Sequence, residues 1–213
     1  MSKEAIALFF KVPEEGKVKT RLAKVLGKSK ALQIYVELLA KTVKTIETYT
    51  QKSKVALFGF YLGTPGEEVF ALFNLKERWK FIPQEGFSLG ERLKRAGDYL
   101  FSQGISRVLL LGADCPFIED QHLDECLRRL VEYPVVIIPS DDGGYVILGM
   151  NSTIYERQYI LFDDLPFETP NLLKETLDRL RDVPYFLMPP LFDIDTYVDY
   201  ERYLIYRRRF ALF

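Results

Sequence analysis

The chain has 213 residues, of which 48% are hydrophobic and 28% charged, and this composition is typical of a folded domain, not of a disordered or fibrous chain. Its 29 Lys and Arg residues nearly balance its 30 Asp and Glu residues, so no global field attracts it to nucleic acid or to a membrane surface. The length and the uniform composition predict one domain over residues 1–213.

The sequence carries neither an export signal nor the ligands of a structural zinc site. The apolar run that follows Ser2, Lys3 and Glu4 is too short for a signal peptide or a membrane span, so we expect a cytoplasmic protein without membrane insertion. Cys115 and Cys126 lack the spacing and the partner ligands that zinc requires, so we expect two buried thiols.

Apolar runs of strand length alternate with amphipathic helical stretches, which is typical of a mainly parallel sheet covered on both faces. The predicted strands are residues 5–10, 55–61, 79–82, 108–111, 135–139, 145–148 and 185–188. The connection between the fifth and sixth strands is too short for a parallel crossover, so we expect this pair to be antiparallel and the sheet to be mixed.

Helical spacing and capping residues predict helices between these strands. They are a helix over residues 29–48 capped by Ser29, one opened by Ser88 and Glu91, one over residues 119–131, one begun by Thr169 and Pro170, and a last one begun by Thr196 and Asp199. The alternation of strands and helices predicts an α/β fold.

A basic loop follows the first predicted strand and spans residues 11–22. It leaves the carboxyl end of a strand, where open α/β sheets bind ligands, and it offers backbone N–H groups and cations to a phosphate chain. It is not a P-loop, because Val18 follows Gly16 and Lys17 where Ser or Thr is required. The alternative is a solvated basic turn. The predicted phosphate-binding residues are Lys11, Gly16, Lys19, Thr20 and Arg21.

Asp114 lies just after the most hydrophobic predicted strand, in Gly112-Ala113-Asp114-Cys115-Pro116. Pro116 prevents the strand from continuing, so the carboxylate is expected at the rim of the same crevice. Carboxylate oxygens suit Mg²⁺ or Mn²⁺ ions that bridge phosphates, which makes Asp114 a candidate metal ligand. The alternative is an Asx turn or a cap for the next helix.

Two further carboxylates, Asp193 and Asp195, flank Ile194 near the C-terminal end. In an extended segment, alternation places both carboxylates on one face and Ile194 on the other. Side by side they repel each other unless a cation is present, so they are candidate metal ligands. A capping box formed by Thr196 and Asp199 is compatible with this role.

Two other loops combine acidic, hydroxyl and glycine residues. Adjacent glycines in the loop over residues 139–145 permit close backbone approach, although a bare hairpin turn is the alternative. The loop over residues 162–169 either walls an acceptor pocket or lies on the surface. The candidate acceptor-binding residues are Asp141, Asp142, Gly143, Gly144, Tyr145, Glu168 and Thr169.

Taken in order, these segments resemble a bacterial family, DUF2064, also called the radical-SAM/selenodomain-associated transferase 1 group. The matching elements are the loop over residues 11–22, Gly90-Glu91-Arg92, residues 112–116, residues 139–145 and Asp193-Ile194-Asp195-Thr196, and they span residues 5 to about 203. The resemblance implies the three-layer α/β/α GT-A-like fold of the nucleotide-diphospho-sugar transferase superfamily, with a mainly parallel mixed sheet.

The resemblance also implies a metal-dependent transferase with a nucleotide-activated donor and a small-molecule acceptor. A glycosyltransferase acting on an NDP-sugar is favoured over a guanylyltransferase-like nucleotidyltransferase, and a non-catalytic nucleotide-binding module and a dehalogenase-type phosphatase are further alternatives. The implied catalytic residues are Asp114, Lys19 and Arg21, and the implied cofactor is a Mg²⁺ or Mn²⁺ ion held by Asp114, Asp193 and Asp195.

The chain departs from the family pattern at three places. Gly86-Phe87-Ser88-Leu89-Gly90 replaces the usual Gly-Asp-Leu-Gly, and Phe167-Glu168-Thr169 replaces a Trp-Ser-Thr-like loop. Tyr197 stands where a proline usually follows the last acidic motif. These departures concern the acceptor side more than the nucleotide side.

Overall fold

The computed structural model describes residues 3–210 and the side chains of residues 3–208. Within these residues, seven strands form a sheet in the order β3-β2-β1-β4-β6-β5-β7. The strands are β1 (Glu4–Lys11), β2 (Ala56–Leu62), β3 (Trp79–Pro83), β4 (Arg107–Gly112), β5 (Val135–Pro139), β6 (Tyr145–Asn151) and β7 (Tyr185–Leu187). Each of these strands overlaps one predicted from the apolar runs, so the predicted strands are confirmed.

Helices connect most of these strands. They are α1 (Thr20–Leu26), α2 (Lys28–Gln51), α3 (Glu67–Phe70), α4 (Leu89–Ser102), α5 (Asp120–Arg129), α6 (Tyr159–Phe162), α7 (Leu172–Arg179) and α8 (Tyr197–Phe210). Short 3₁₀ turns cover Lys76–Arg78 and Ser152–Arg157. No helix within residues 3–210 is both long enough and apolar enough to cross a membrane.

The sheet is mixed, as predicted. Strand β1 pairs in parallel with β2 and with β4, and β2 pairs in parallel with β3. Strand β6 runs antiparallel to both β4 and β5, while β5 and β7 are parallel. The short connection between β5 and β6 therefore forms the predicted antiparallel pair.

Helices cover both faces of the sheet, and strand β1 shows this directly. Ile6 and Leu8 belong to the hydrophobic core that lies under α2 and α5, whereas Ala5 and Ala7 belong to the core under α4, α6 and α7. Both faces of the strand are buried because parallel strands carry apolar side chains on both sides. The predicted three-layer α/β/α arrangement is confirmed.

Two predicted helix starts are wrong. Gly27, with a φ of 82°, ends α1 and is also the N-cap of α2, so Ser29 lies inside the first turn and does not cap it. The next helix after Pro170 begins at Leu172 with Asn171 as N-cap, because the Thr169 hydroxyl donates to the Pro166 carbonyl in a preceding turn instead.

Other local predictions are confirmed. The backbone N–H of Glu91 donates to the Ser88 hydroxyl at 3.1 Å, so Ser88 caps α4. The backbone N–H of Thr196 donates to the Asp199 carboxylate at 2.7 Å at the start of α8. Both predicted thiols, Cys115 and Cys126, are free and buried.

The basic loop is only partly a loop. Its last residues form the first turn of α1, a helix that the sequence did not indicate and that begins at Thr20. This short helix packs against α2 and α8, where Leu22 is fully buried beside Ile34 and Ile194. Burial of Leu22 therefore fixes Lys19, Thr20 and the rest of the basic segment relative to the sheet.

Candidate active site

The candidate site lies where the strand order of the sheet reverses. Strand β2 lies on one side of β1 and β4 lies on the other, so the strand order reverses at β1. A crevice opens at such a switch point, outside the carboxyl ends of the two strands. The ends of β1 and β4 here line a cavity of about 1110 Å³.

Most of the predicted site residues line this cavity. They are Lys11, Lys19, Thr20, Arg21, Asp114, Asp142, Gly144, Tyr145, Glu168, Thr169, Asp193 and Asp195. Residues 19–21, 114 and 193–195 are far apart in the chain, and the fold brings them together at the ends of the strands.

Three predicted residues do not line the cavity. Gly16 lies in a turn with a φ of 80°. The Asp141 carboxylate is paired with Arg202 at 2.7 Å. Gly143, with a φ of 90°, packs so closely on the carbonyl of Pro170 that a side chain would collide with it. In this structure these three residues shape loops and do not face the crevice.

The centre of the site is a lysine shared by two aspartates. The Lys19 ammonium lies 2.8 Å from Asp114 Oδ2 and 2.7 Å from Asp195 Oδ1. The lysine side chain is only 4% exposed, whereas the two aspartate side chains are 39% and 38% exposed. The ammonium is therefore buried beneath the carboxylates, which remain open to the cavity.

The backbone around Lys19 is held in an unfavourable conformation. Lys19 is the N-cap of α1 and has a φ of 46° and a ψ of 48°, in the left-handed region that non-glycine residues rarely adopt. Such a conformation persists only where the surrounding structure over-determines it. The two ion pairs and the packing of α1 supply that constraint.

A backbone hydrogen bond links Asp114 to the segment that carries Asp195. The N–H of Ile194 donates to the carbonyl of Asp114 at 3.1 Å. Ile194 is fully buried, so the segment that carries Asp195 is anchored on its apolar side while its carboxylate faces Lys19. The predicted alternation of Asp193 and Asp195 about Ile194 is thereby confirmed.

The ion pairs determine the protonation of the site. Burial alone would lower the pKa of Lys19, but the charges of Asp114 and Asp195 outweigh it and raise that pKa above its ordinary value. Burial likewise opposes ionisation of Asp195, yet the Lys19 charge and hydrogen bond bring the pKa of Asp195 below its usual range. Both groups are therefore charged at neutral pH.

Asp193 has a different environment from Asp195. Its carboxylate accepts a hydrogen bond from the Ser140 hydroxyl at 2.8 Å. Burial raises the pKa of Asp193 to about 6. Within the described residues, no group of three or more His, Cys, Asp or Glu side chains is arranged to hold a metal ion. Asp193 lines the same cavity, but its carboxylate is bound to Ser140, whereas Asp114 and Asp195 bind Lys19.

The Asp114–Asp195 pair fits a divalent cation. Asp114 and Asp195 converge on one positive charge in this structure, with the Lys19 ammonium standing where both carboxylates can reach it. Mg²⁺ is usually bound through one or two carboxylates and the phosphates of a substrate. Two convergent carboxylates in an open crevice are thus sufficient protein ligands for such an ion.

Two further cations flank the pair. The Arg21 guanidinium lies 3.9 Å from Asp195 Oδ2 and its side chain is 62% exposed. Lys11 is exposed, and its backbone N–H and C=O are bound by the Tyr35 hydroxyl at 2.8 and 2.9 Å. Lys11 and Arg21 are therefore placed to meet an anion that enters the cavity.

Three residues that line the cavity, Gln84, Phe87 and Arg92, were not among the predicted site residues, although Phe87 and Arg92 lie in segments compared with the family pattern. Phe87 is 97% exposed, yet its backbone is fixed, because its N–H donates to Glu91 at 2.7 Å and its carbonyl accepts from Arg92 at 3.2 Å. Arg92 also binds the Gly86 carbonyl. The capping pattern at Ser88 could have indicated a fixed loop, but not its place at the cavity.

The opposite wall of the cavity is built from local turns. The Asp142 carboxylate accepts from the N–H of Gly144 at 3.0 Å, and the Tyr145 ring meets Phe167 edge to face. Glu168 is exposed and has a φ of 64°. These groups face the crevice, and their predicted role with an acceptor stays a prediction.

Solved structures share the fold of this chain. A candidate nucleotide-diphospho-sugar transferase from Desulfovibrio desulfuricans G20 is 29% identical, with a TM-score of 0.82 over 92% of this chain and 84% of that one. A 4-diphosphocytidyl-2C-methyl-D-erythritol synthase from Anaerococcus prevotii is 12% identical, with a TM-score of 0.62 over 97% and 100%. A manganese complex of a Mycobacterium tuberculosis protein is 15% identical, with a TM-score of 0.55 over 93% and 97%.

The fold and the crevice at its switch point define a GT-A-like α/β transferase. The model of DUF2064, described as uncharacterized proteins conserved in bacteria, matches residues 45–169. This is more than half of the chain, and the protein belongs to that family. A search of curated proteins found no match. The basic loop and the Asp193–Asp195 segment lie outside the matched range, so their place in the site comes from the structure.

Proposed function

We propose that the protein is a metal-dependent transferase that uses a nucleotide-activated donor, and that it moves a sugar from an NDP-sugar to a small acceptor. The observation that carries this proposal is the convergence of Asp114 and Asp195 on one cation at the switch-point crevice. The similar Desulfovibrio protein, described as a candidate nucleotide-diphospho-sugar transferase, supports the choice of donor.

Asp114 and Asp195 are the residues that would hold a Mg²⁺ or Mn²⁺ ion together with the phosphates of the donor. Such an ion, when bound, neutralises negative charge on a departing diphosphate. The manganese complex of the similar Mycobacterium protein is consistent with this assignment. Asp193, hydrogen-bonded to Ser140, stays a candidate for a ligand that joins only when substrate is bound.

Basic side chains would bind the donor phosphates beside this pair. Arg21 and Lys11 are exposed at the crevice, and the Thr20 hydroxyl lines the same part of the cavity. In the reaction, an acceptor hydroxyl attacks the anomeric carbon and releases its proton. The bond between that carbon and the diphosphate oxygen breaks, and the nucleoside diphosphate leaves with the bonding electrons. Fixed cations beside the leaving group would supply much of the rate enhancement.

A nucleotidyltransferase is the second candidate. The exposed Arg21 guanidinium beside the carboxylate pair suits a pyrophosphate leaving group, and the similar Anaerococcus protein is named as a 4-diphosphocytidyl-2C-methyl-D-erythritol synthase. In this reaction a phosphate oxygen of the acceptor attacks the α-phosphorus of an NTP. The bond from the α-phosphorus to the bridging oxygen breaks, and pyrophosphate leaves.

Other parts of the assignment rest on the sequence. We propose that the acceptor binds against Asp142, Gly144, Tyr145, Glu168 and Thr169, with Asp141 and Gly143 supporting the same loop. We also propose one domain over residues 1–213 and a cytoplasmic location. Nucleic acid and membrane lipid are not among the proposed partners.

A thermal-shift panel followed by product analysis tests the proposal. Each NDP-sugar and NTP is added with and without Mg²⁺ or Mn²⁺, since a ligand at ~100 times its dissociation constant adds roughly 2.7 kcal/mol of stability. A metal-linked shift with an NDP-sugar and release of the nucleoside diphosphate support glycosyl transfer. A shift with an NTP and release of pyrophosphate support nucleotidyl transfer. Nucleotide binding without any turnover identifies a binding module, and no shift contradicts the proposal.

A further inference from the structure

Lys19 occupies the position that a bound metal ion would be expected to take between Asp114 and Asp195. Its ammonium lies within 2.8 Å of one oxygen of each carboxylate and is almost fully buried. The residue that carries it sits in a left-handed backbone conformation at the start of α1. An exposed phosphate-binding lysine would not need such a fixed position beneath two carboxylates.

We propose that the Lys19 ammonium is a tethered cation that occupies the Asp114–Asp195 pair in the free protein and competes with a divalent cation for it. This inference rests on the proposed function, because it takes the same two carboxylates as the metal ligands. It adds that the free protein is already partly neutralised at this pair and therefore has a reduced affinity for the metal alone.

The charges explain the competition. Two carboxylates without a partner carry two negative charges at short range, which attract a divalent ion strongly. With Lys19 in place the cluster carries one net negative charge, and the ammonium repels any second cation that approaches the same oxygens. A metal ion then gains only part of the attraction that two free carboxylates would provide.

A donor diphosphate changes this balance. Its negative oxygens offer the Lys19 ammonium another partner, and they also supply ligands to a metal ion. The metal and the donor therefore favour each other's binding, and by thermodynamic reciprocity each raises the affinity for the other. On this account the metal enters the site together with the nucleotide, not before it.

Arg21 provides a matched control because it carries the same charge beside the same pair. Its guanidinium is 3.9 Å from Asp195 Oδ2, but its side chain is 62% exposed. Solvent screening weakens the effect of an exposed charge, whereas a buried charge in direct contact is screened much less. Removing either residue changes the net charge of the protein by the same amount.

The test measures Mn²⁺ binding to the full chain without nucleotide, from the electron paramagnetic resonance signal of free Mn²⁺. We expect Lys19→Met to bind Mn²⁺ at least ~10-fold more tightly than the unchanged protein, because the competing charge is gone. We expect Arg21→Met to change the affinity by no more than ~3-fold. Adding Asp114→Asn to Lys19→Met should abolish the gain.

An unchanged or weaker Mn²⁺ affinity in folded Lys19→Met overturns the proposal, because a merely structural lysine would not increase metal affinity when removed. If that variant does not fold, Lys19→Gln gives the same measurement with an uncharged polar side chain. Mn²⁺ binding that requires an added nucleoside diphosphate in the unchanged protein, and loses that requirement in Lys19→Met, supports the coupling. No Mn²⁺ binding to any variant, with or without nucleotide, would overturn the proposed function as well.

Discussion

The two sides of the cavity are built in opposite ways. On the proposed donor side, the fold brings Lys19 and Asp195 together across 176 residues of sequence and buries the ammonium. On the proposed acceptor side, the polar groups are fixed by near neighbours, as when Asp142 accepts from Gly144 two residues away. One side depends on the whole fold and the other on individual turns.

This difference indicates where the site tolerates change. The buried Lys19 is costly to remove, because its loss leaves two carboxylates facing each other without a cation. Exposed loop side chains such as Glu168 can be replaced with little effect on folding, and loops are where specificity usually varies. The departures from the family pattern concern the proposed acceptor side more than the proposed donor side, which agrees with this contrast.

The largest expected effect is on catalysis at the donor side. Asp114→Asn removes one charge of the carboxylate pair, and we expect transferase activity to fall ~100-fold or more. The free energy of unfolding should fall by only about 1 kcal/mol, because Asp195 still binds Lys19 and the side chain is partly exposed. Product formation and urea unfolding of the same samples measure both. Full activity in this variant would remove Asp114 from the mechanism.

The next effect is on stability. Lys19→Met leaves two aspartates facing each other without a cation, and we expect the free energy of unfolding to fall by about 3 kcal/mol in urea titrations without divalent ions. Excess Mn²⁺ should recover part of the loss. Arg21→Met is the control and should cost less than about 0.5 kcal/mol, because the arginine is exposed. Equal losses in the two variants would contradict the contrast between buried and exposed cations.

A smaller effect is expected in the pH dependence of stability. Burial raises the pKa of Asp193 to about 6, whereas an unfolded aspartate titrates near ~4. Between these values the folded state binds more protons than the unfolded state, so this group lowers stability as pH rises. The Asp193→Asn variant does not lose stability in this way as pH rises. Between pH 4 and pH 7, its melting temperature should therefore increase by roughly 2–6 °C relative to that of the unchanged protein.

Asp195→Asn is the control, and we expect its effect on the pH dependence of stability to be opposite to that of Asp193→Asn. The pKa of Asp195 is held below its usual range by Lys19, against the effect of burial, so its charge stabilises the fold above the pKa of an unfolded aspartate. That stability is lost as the pH falls through the lower folded pKa. The Asp195→Asn variant should therefore lose stability relative to the unchanged protein as pH rises. Parallel pH profiles for the two variants would show that these aspartates do not differ as described.

The smallest effect is expected on the acceptor side. Glu168→Gln keeps the size and the backbone conformation of an exposed residue, so the melting temperature should change by less than ~1 °C. If the acceptor binds here, its KM should rise several-fold while the KM of the donor is unchanged. Steady-state kinetics with each substrate varied in turn make this comparison. A change in the donor KM alone would place Glu168 on the other side of the cavity.

Short-range patterns predicted most of the fold. The apolar runs correspond to the strands, and Ser88 and Thr196 cap helices as their spacing indicated, because a cap depends only on residues three positions away. The helix starts at Ser29 and Thr169 were wrong. Gly27, with its positive φ, is the N-cap of α2, so this helix begins at Lys28, one residue before the predicted start. The Thr169 hydroxyl donates to the Pro166 carbonyl in a preceding turn and does not cap α7.

The site was less predictable than the fold. Sequence motifs indicated that Asp114 and Lys19 belong to one crevice, because the ends of parallel strands meet there, and the family resemblance added Asp195. They did not indicate that Lys19 binds the two carboxylates, since that contact depends on the helix α1 and on residues far away in the chain. Nor did they place the exposed Phe87 ring, because its loop is held by side chains of α4.

The long separation between Lys19 and Asp195 also sets the order in which the site is assembled during biosynthesis. Their contact spans 176 residues, and at roughly 5–20 residues per second the ribosome needs roughly 10–35 s to add them. Asp114 is synthesised earlier, so the lysine first has one carboxylate within reach and gains the second only after Asp195 has been added. A nascent chain therefore carries the basic segment long before it has a complete pair of carboxylates, and the ion-pair cluster cannot form until Asp195 has been made.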